Sequence, residues 1–599
     1  MIDAKKLINS YLGKNDWRVK RNSNAPFSYG ALNKFITEEV SEEYWLKEIY
    51  PPEAADAHNQ GFFKIHDLGG LTLYCCGYSL GQAIREGVHG VPNIPVSAPA
   101  KHFFSLLNQL ANLTTIFQNE IMGAVAFSSF DTLCAPFVKK DNLTYEQVYQ
   151  NMQNYIYSVN SNSRSGAEPA FSNLTFDITP PKDLLNKECV IAGEAMGFTY
   201  KDCQHEMDMI NKAFCSIMIA GDASGQLFSY PIPTYNIHER FDWDNPLSDL
   251  IWQMAAKYGT PYFANFLNSD MQPEDARSMC CRLRLDKREL LKRNGGLFGA
   301  GESTGSIGVV TLNLPRIGYI AHDEAEAMEI IDIYMDIAKD SLEVKREFLQ
   351  KYVLEAGLIP AFQTYIGTLD NHFSTIGYIG LNEFCMNLTG RNILDDENVR
   401  LCERVLNHMR DRLSDYQEET GHLYNLEATP AESTCYSLAK KDVECYPDIY
   451  TQGTRECPYY TNSCHIPVNL VSNFKQVLTH QNHLQKLHTG GTVIHFFLDG
   501  PIQAQQAKQL IKVACTQTES PYFSLAPISC YCPDHGYIEK ASLKCPQCGK
   551  PTDFIQKITG YPRKVKFFNP GKLAEFNDRH QLSFDEDTES LLANYESQV

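Results

Sequence analysis

Apolar positions along the chain change their period several times, and each change marks a predicted element. Residues 1–60 are polar with helical spacing and include the loop RNSNAPFSYGALNKFI. Phe103, Leu106, Leu107 and Leu110, then Ile116 and Ile121, recur at helical intervals, as do positions from Tyr145 to Tyr157, which predicts core helices. Residues 322–420 keep apolar side chains at i, i+3 and i+4, as in AEAMEIIDIYMDIAKDSLEVKREFLQKYVLEAGL, and read as helices covering the outside of a sheet. Strand signals fall elsewhere. Phe63 to Leu68 is a short apolar segment, and Phe171 to Ile178 is rich in β-formers and closed by Pro180. Residues 225–236, GQLFSYPIPTYN, form a second such strand, while Ile307 to Leu314 and Val493 to Phe497 read as buried strands. Helices alternating with buried strands predict an α/β fold.

Composition narrows the function classes. The 599 residues carry a formal charge of −19, which argues against nonspecific binding to nucleic acid. The N-terminus MIDAKKLINSYLGKNDW lacks the apolar core of a signal peptide, and no run of about 18 apolar residues predicts a membrane span. Nineteen cysteines without a secretory leader read as a cytoplasmic protein that keeps its thiols reduced and uses some of them.

Candidate chemistry clusters in four places. Near the C-terminus, Cys532 and His535, then Cys545 and Cys548, form two tight pairs about a dozen residues apart, the zinc-ribbon pattern. Cys530 is a spare thiol able to replace His535 as a ligand. The metal is expected to be structural zinc, a staple for a tail too short to build its own core. Vicinal cysteines occur twice, at Cys75-Cys76 and Cys280-Cys281; packing alone accounts for such residues as readily as chemistry does. The Gly-rich stretch from Gly295 to Gly308 contains neither GKS/T nor GxGxxG, so it is not a known phosphate cradle. Glu427 and Glu432 flank Thr429-Pro430, and Ser433-Thr434 open a predicted helix whose first amides suit a phosphate. A carboxylate there either accepts a substrate proton or caps the helix. His480, His483 and His488 have no metal-binding register and read as surface or capping histidines.

The order of these blocks, from Cys75 through CCR, GVVTLNLPRIGY and ATPAE to the cysteine knuckle and ITGYPRKV, resembles the anaerobic, class III ribonucleotide reductases over residues 20–580. In that family the glycine before a tyrosine holds a stable backbone radical, and the matching residue is Gly560. Without a Cβ the Cα can become planar and share its unpaired electron with both flanking amides. The family's CR pair matches Cys281-Arg282, which implies a thiyl radical at Cys281, with Cys280 as the alternate. The YCxGxSL pattern implies that Cys75 supplies reducing equivalents, with Cys76 as the alternate. Glu432 of ATPAE matches the catalytic carboxylate, with Glu427 as the alternate.

The resemblance also implies the architecture and the partners. The expected fold is a ten-stranded α/β barrel of two antiparallel five-strand halves over residues 1–525, with Phe171 to Ile178 as its first strand. Residues 526–599 would form a C-terminal zinc-ribbon and glycyl-radical domain, and no N-terminal ATP-cone is expected. The implied activity is reduction of ribonucleoside triphosphates to 2′-deoxyribonucleoside triphosphates for DNA precursors. A homodimer, ATP and dNTP effectors, and an activating enzyme using S-adenosylmethionine and an iron–sulfur cluster are implied with it. Formate-using members carry asparagine before the GVV strand; Ser306 stands here and favours a thioredoxin- or glutaredoxin-like dithiol as reductant. Two alternatives stay open: another glycyl-radical enzyme of the formate acetyltransferase or dehydratase type, and a non-enzymatic zinc-ribbon interaction protein.

Overall fold

A computed structural model describes residues 2–14, 16–20, 27–161, 168–268, 276–278, 284–286, 303–558 and 560–584. Ten strands build the centre of the molecule: β1 (Cys75–Gly77), β2 (Val125–Phe127), β3 (Ser172–Phe176), β4 (Ile232–Ile237), β5 (Tyr262–Asn265), β6 (Gly305–Asn313), β7 (His372–Ile379), β8 (Leu423–Glu427), β9 (Ile494–Leu498) and β10 (Tyr522–Pro527). Their order around the sheet is β8-β7-β6-β1-β2-β3-β4-β5-β10-β9, and the short strand Phe63–Ile65 pairs outside this path with β6. Neighbours within β1–β5 run parallel, as do those within β6–β8 and the β9/β10 pair. The β6/β1 and β5/β10 contacts are antiparallel. The gap between β8 and β9 is bridged by the main chain, Gly490 N–H to Leu426 O at 2.9 Å and Ala428 N–H to Gly491 O at 2.7 Å. Two parallel five-strand halves, antiparallel to each other, thus make the ten-stranded barrel.

Two expectations about elements need correction. The strand near Phe171 is the third of the barrel, because β1 and β2 are only three residues long and carry no readable period. Residues 322–420 are not helical throughout: His372–Ile379 is a strand buried at every position, in a run rich in aromatic and β-branched residues. The flanking helices are as expected. Glu324–Phe348 starts at Asp323, whose carboxylate accepts from the Glu326 N–H, and Asp396–Thr420 starts at Asp395 and ends at left-handed Gly421.

Strand alternation separates two apolar regions. Val125, Phe127, Leu174, Phe176, Tyr235 and Phe263 face the helices in one large core. Ala124, Ala126, Ile232, Tyr262, Ala264 and Tyr522 face the other way, into a smaller inner cluster. The inner face mixes alanines with large aromatic side chains, and Ile558 and Tyr561 from beyond β10 join its cluster. Beyond β10 the chain forms a separate ribbon of β11 (Ser529–Cys532), β12 (Gly536–Ile538), β13 (Asp553–Lys557) and β14 (Pro562–Lys564), paired in the order β12-β11-β13-β14, followed by helix Pro570–Asp578. Among the described residues no helix is long and apolar enough to cross a membrane.

Candidate active site

The site is organised by the β13/β14 hairpin. Lys557 pairs with Pro562, and the Ile558 N–H donates to the Tyr561 carbonyl at 3.2 Å, so Gly560 lies at the turn of the hairpin. Glycine suits so tight a turn. The tip does not face solvent. Gly560 is buried, and its neighbours Ile558 and Tyr561 join Cys75, Tyr230, Tyr262, Phe373, Leu423 and Tyr522 in the inner cluster. Tyr262 on β5 donates its hydroxyl to the Gly560 carbonyl at 2.5 Å. The Tyr561 hydroxyl donates to Glu432 Oε2 at 3.2 Å, Asn569 Nδ2 donates to the Glu432 carbonyl at 3.0 Å, and Arg563 Nη1 donates to Ser229 Oγ at 2.6 Å. The hairpin is therefore hydrogen-bonded to the barrel wall on several sides.

A cavity of about 280 Å³ opens onto this tip, lined by Gly560, Tyr561, Glu427, Glu432, Ser433, Thr434, Lys64 and His66. Glu427 ends β8 and is 1% exposed, whereas Glu432 lies half-buried in the loop before helix Thr434–Cys445. Glu432 thus stands between the helix N-terminus and the hairpin. The cavity also takes in Glu38, Glu42, Asp67 and Glu168 with Arg18 and Lys34, so it mixes acidic and basic side chains beside the start of helix Thr434–Cys445, and Lys34 and Lys64 are paired with Glu168 and Glu42.

Adjacent cysteines part company on β1. Cys75 belongs to the inner cluster with Tyr561, while Cys76 belongs to the helix-facing core. The Cys76 Sγ lies 3.5 Å from His372 Nε2, and burial pushes its thiol up from the usual value. Gly305 of β6 lies against β1; a Cβ there would collide with the Cys75 carbonyl, so glycine permits the strand approach that fixes Cys75. Ser306, opposite Cys75 in register, shares a 2.9 Å hydrogen bond with Thr375. Cys280 and Cys281 lie outside the described residues.

Four ligand atoms converge in the ribbon: Cys532, His535, Cys545 and Cys548, all within 4.8 Å of one another. Cys532 Sγ is 3.7 Å from both His535 Nδ1 and Cys548 Sγ, and Cys545 Sγ is 3.6 Å from His535 Nδ1. A tetrahedral ion with bonds of about 2.3 Å needs ligands about 3.8 Å apart, so the set fits a tetrahedral metal. Cys530 is not part of the group; it is buried on β11 and its sulfur accepts from the Ser542 N–H at 3.2 Å. Of the three histidines further back, expected at the surface or as caps, His488 bonds the carbonyl of Gln485 at the end of helix Phe474–Gln485 as a cap does, and only His480 departs from the expectation. His483 is exposed beside Glu403, but His480 and His488 are buried, bonded to the Ile393 carbonyl and the Tyr378 hydroxyl.

Tyr262, Lys557 and the Tyr561–Glu432 contact carry no sequence signal of their own. Tyr262 reaches Gly560 across 298 positions, and only the closed barrel brings them together.

Comparison with known proteins agrees with this geometry. The family model described as anaerobic ribonucleoside-triphosphate reductase matches residues 21–582. The protein of that name from Escherichia coli K12 is 23% identical over 585 residues, spanning 90% of this chain and 80% of its own. The one from enterobacteria phage T4 is 24% identical over 478 residues, 72% of this chain and 73% of its own. The crystal structure of the anaerobic ribonucleotide reductase from Thermotoga maritima, with dATP bound in the specificity site, superposes with a TM-score of 0.75 at 21% identity, covering 94% of this chain and 95% of that one. A ten-stranded barrel filled by a glycine-tipped hairpin, in a chain matched along nearly its whole length, belongs to the anaerobic ribonucleoside-triphosphate reductase family of oxidoreductases.

Proposed function

We propose that Gly560 carries the radical of this reductase and that Cys281, Cys75 and Glu432 perform the chemistry on the nucleotide. The observation that supports this reading best is the burial of the Gly560 tip beside Cys75, Tyr262 and Tyr561, at the edge of the cavity that Glu432 lines. A separate activating enzyme using S-adenosylmethionine and an iron–sulfur cluster would remove a hydrogen atom from the Gly560 Cα. The radical then passes to the Cys281 sulfur, which takes the ribose 3′-hydrogen. Glu432 accepts the 3′-hydroxyl proton as water leaves from C2′. Overall, the 2′-hydroxyl becomes a hydrogen and water while two thiols, Cys75 and Cys281, become a disulfide. A thioredoxin- or glutaredoxin-like dithiol restores them by thiolate attack. Ser306 in place of the formate-associated asparagine supports this reductant.

The substrate is a ribonucleoside triphosphate, and the amides before helix Thr434–Cys445 suit its phosphates. Effector nucleotides, a homodimer and a cytoplasmic setting go with the family. Zinc fits the Cys532, His535, Cys545 and Cys548 set, and when bound it staples the ribbon that carries the hairpin. The barrel over residues 1–525 and the ribbon over 526–599 would act as catalytic and radical-bearing units.

Anaerobic activation followed by air and mass spectrometry of the fragments tests the radical site, because oxygen cuts the chain where a backbone radical sits. A cut at Gly560 is expected. Gly560→Ala should abolish turnover while nucleotide binding persists; turnover in that variant would refute the assignment.

A further inference from the structure

We propose that the Tyr262 hydroxyl is the hydrogen-bond donor that holds and tunes the radical-bearing glycine, with Lys557 setting its strength. The proposal rests on the reading of Gly560 as the radical residue. An unpaired electron at the Gly560 Cα spreads onto its own carbonyl oxygen, so a donor aimed at that oxygen acts on the radical directly. The Tyr262 hydroxyl is that donor, at 2.5 Å, the short end of the range for O–H···O bonds. Both partners are buried, and Tyr262 is only 1% exposed, so the bond is shielded from bulk solvent.

The ring is held from two sides. Tyr262 stacks on Tyr522 with centroids 5.4 Å apart, and the Tyr522 hydroxyl is fixed 2.6 Å from Thr234 Oγ1. Lys557, 1% exposed, places its ammonium 3.9 Å from the Tyr262 ring centroid and bonds the Ser524 hydroxyl. A cation on a phenol face is attracted to the ring's π-electrons. It also draws electron density from the ring, which makes the O–H a stronger donor and makes an electron harder to remove. Tyr262 would therefore stay closed-shell and donate, leaving the unpaired electron on glycine.

Lys557 is the last residue of β13, three positions before Gly560. The hairpin brings this cation with it when it enters the barrel. Docking of the hairpin and polarisation of the donor are thus one event, and a withdrawn glycine would have neither.

The test is anaerobic activation of the full chain with its activating enzyme, followed by high-field electron paramagnetic resonance and by turnover per radical. Tyr262→Phe should shift the g-value component along the carbonyl axis, shorten the anaerobic lifetime of the radical at least tenfold and lower turnover per radical at least tenfold. Lys557→Met keeps the hydroxyl and should shift the same component less. Incorporating 3-fluorotyrosine at position 262 changes phenol acidity without removing packing, and should move the g-value even if Tyr262→Phe fails to fold. Spectra and lifetimes identical to wild type in the fluorinated protein and in folded Tyr262→Phe would overturn the proposal. Oxygen cleavage of the wild type reports separately on the radical site. A cut at Gly560 beside unchanged variant spectra would sink only the role of Tyr262, whereas no cut at Gly560 would remove the proposal along with the reading beneath it.

Discussion

One step along β1 changes a thiol's environment completely. Cys75 points into the barrel beside Tyr561, whereas Cys76 packs among outer core residues with its thiol pushed up by burial. Burial also holds the neighbouring His372 imidazole down at about 3, so the Cys76–His372 contact is between neutral groups. The Cys76 thiol is thus not poised to ionise. Cys76→Ala is therefore expected to cost about 1 kcal/mol of packing and to leave turnover per radical nearly unchanged. Cys75→Ala should abolish turnover with dithiol reductant. Equal losses in the two variants, measured after matched activation, would contradict the division of roles. A second buried pair, Asp131 and Asp177, has a different consequence. Burial, and then the nearby Asp131 charge, push the Asp177 carboxyl up to about 7. Thr132 and Asn236 donate to it at 2.8 Å without fully offsetting that cost. The unfolded value is about 3.9, so from about pH 4 to about pH 7 the folded state keeps a proton that the unfolded state has released. The stability from this group is present below that window and is lost as pH rises through it. Melting temperatures between pH 5 and 8 should fall less steeply for Asp177→Asn than for wild type; parallel curves would show that the carboxyl does not titrate there.

The ribbon is the element that carries the Gly560 hairpin. β13 pairs with β11, which carries Cys532, and with β14, so the ligand group and the Gly560 tip share one small sheet. That sheet has few apolar residues, and a metal bound to the four ligands would take the place of a core. Chelation, or Cys545→Ser, should raise hydrogen exchange across residues 553–564 and reduce the radical yield, while the barrel strands stay protected. Unchanged exchange in metal-free protein would show that the hairpin is held by its barrel contacts alone. The ribbon was legible in the sequence because its chemistry is local: two pairs of ligands, each two residues apart. Cys530 was the exception, since only the fold shows its sulfur turned to the Ser542 amide. Short strands such as β1 and β2 were illegible for the opposite reason, three residues being too few to display a period. β7 was hidden between two long helices whose pattern dominates that region. Cys75 and Glu432 stand out in the sequence through family resemblance, yet Tyr262 does not, because its contact with Gly560 depends on ring closure between distant strands.

At the scale of the molecule, segments far apart in sequence must agree on one arrangement around the barrel. Arg316, just after β6, is 2% exposed and sits where four of them meet. Its Nε donates to Asp442 Oδ1 at 2.9 Å and its Nη1 to the Gln60 carbonyl at 2.5 Å. Asn313 and Tyr460 each donate to Asp442 Oδ2 at 2.7 Å, and the Phe62 and Tyr446 rings flank the guanidinium. Asp442 lies on the helix that begins just after Glu432, so this network ties that helix to helix Pro52–Gln60 and to β6. The two charges are fully desolvated, and their attraction must offset a large loss of hydration. Removing one partner strands the other. Arg316→Ala should therefore lower stability by about 3–5 kcal/mol, since Asp442 would be buried without its cation. Replacing both by apolar residues of similar size, Arg316→Met with Asp442→Leu, should cost less than either single change. Denaturation of the three variants decides the matter: a double variant less stable than both singles would mean that the pair holds the fold by attraction well beyond its desolvation penalty.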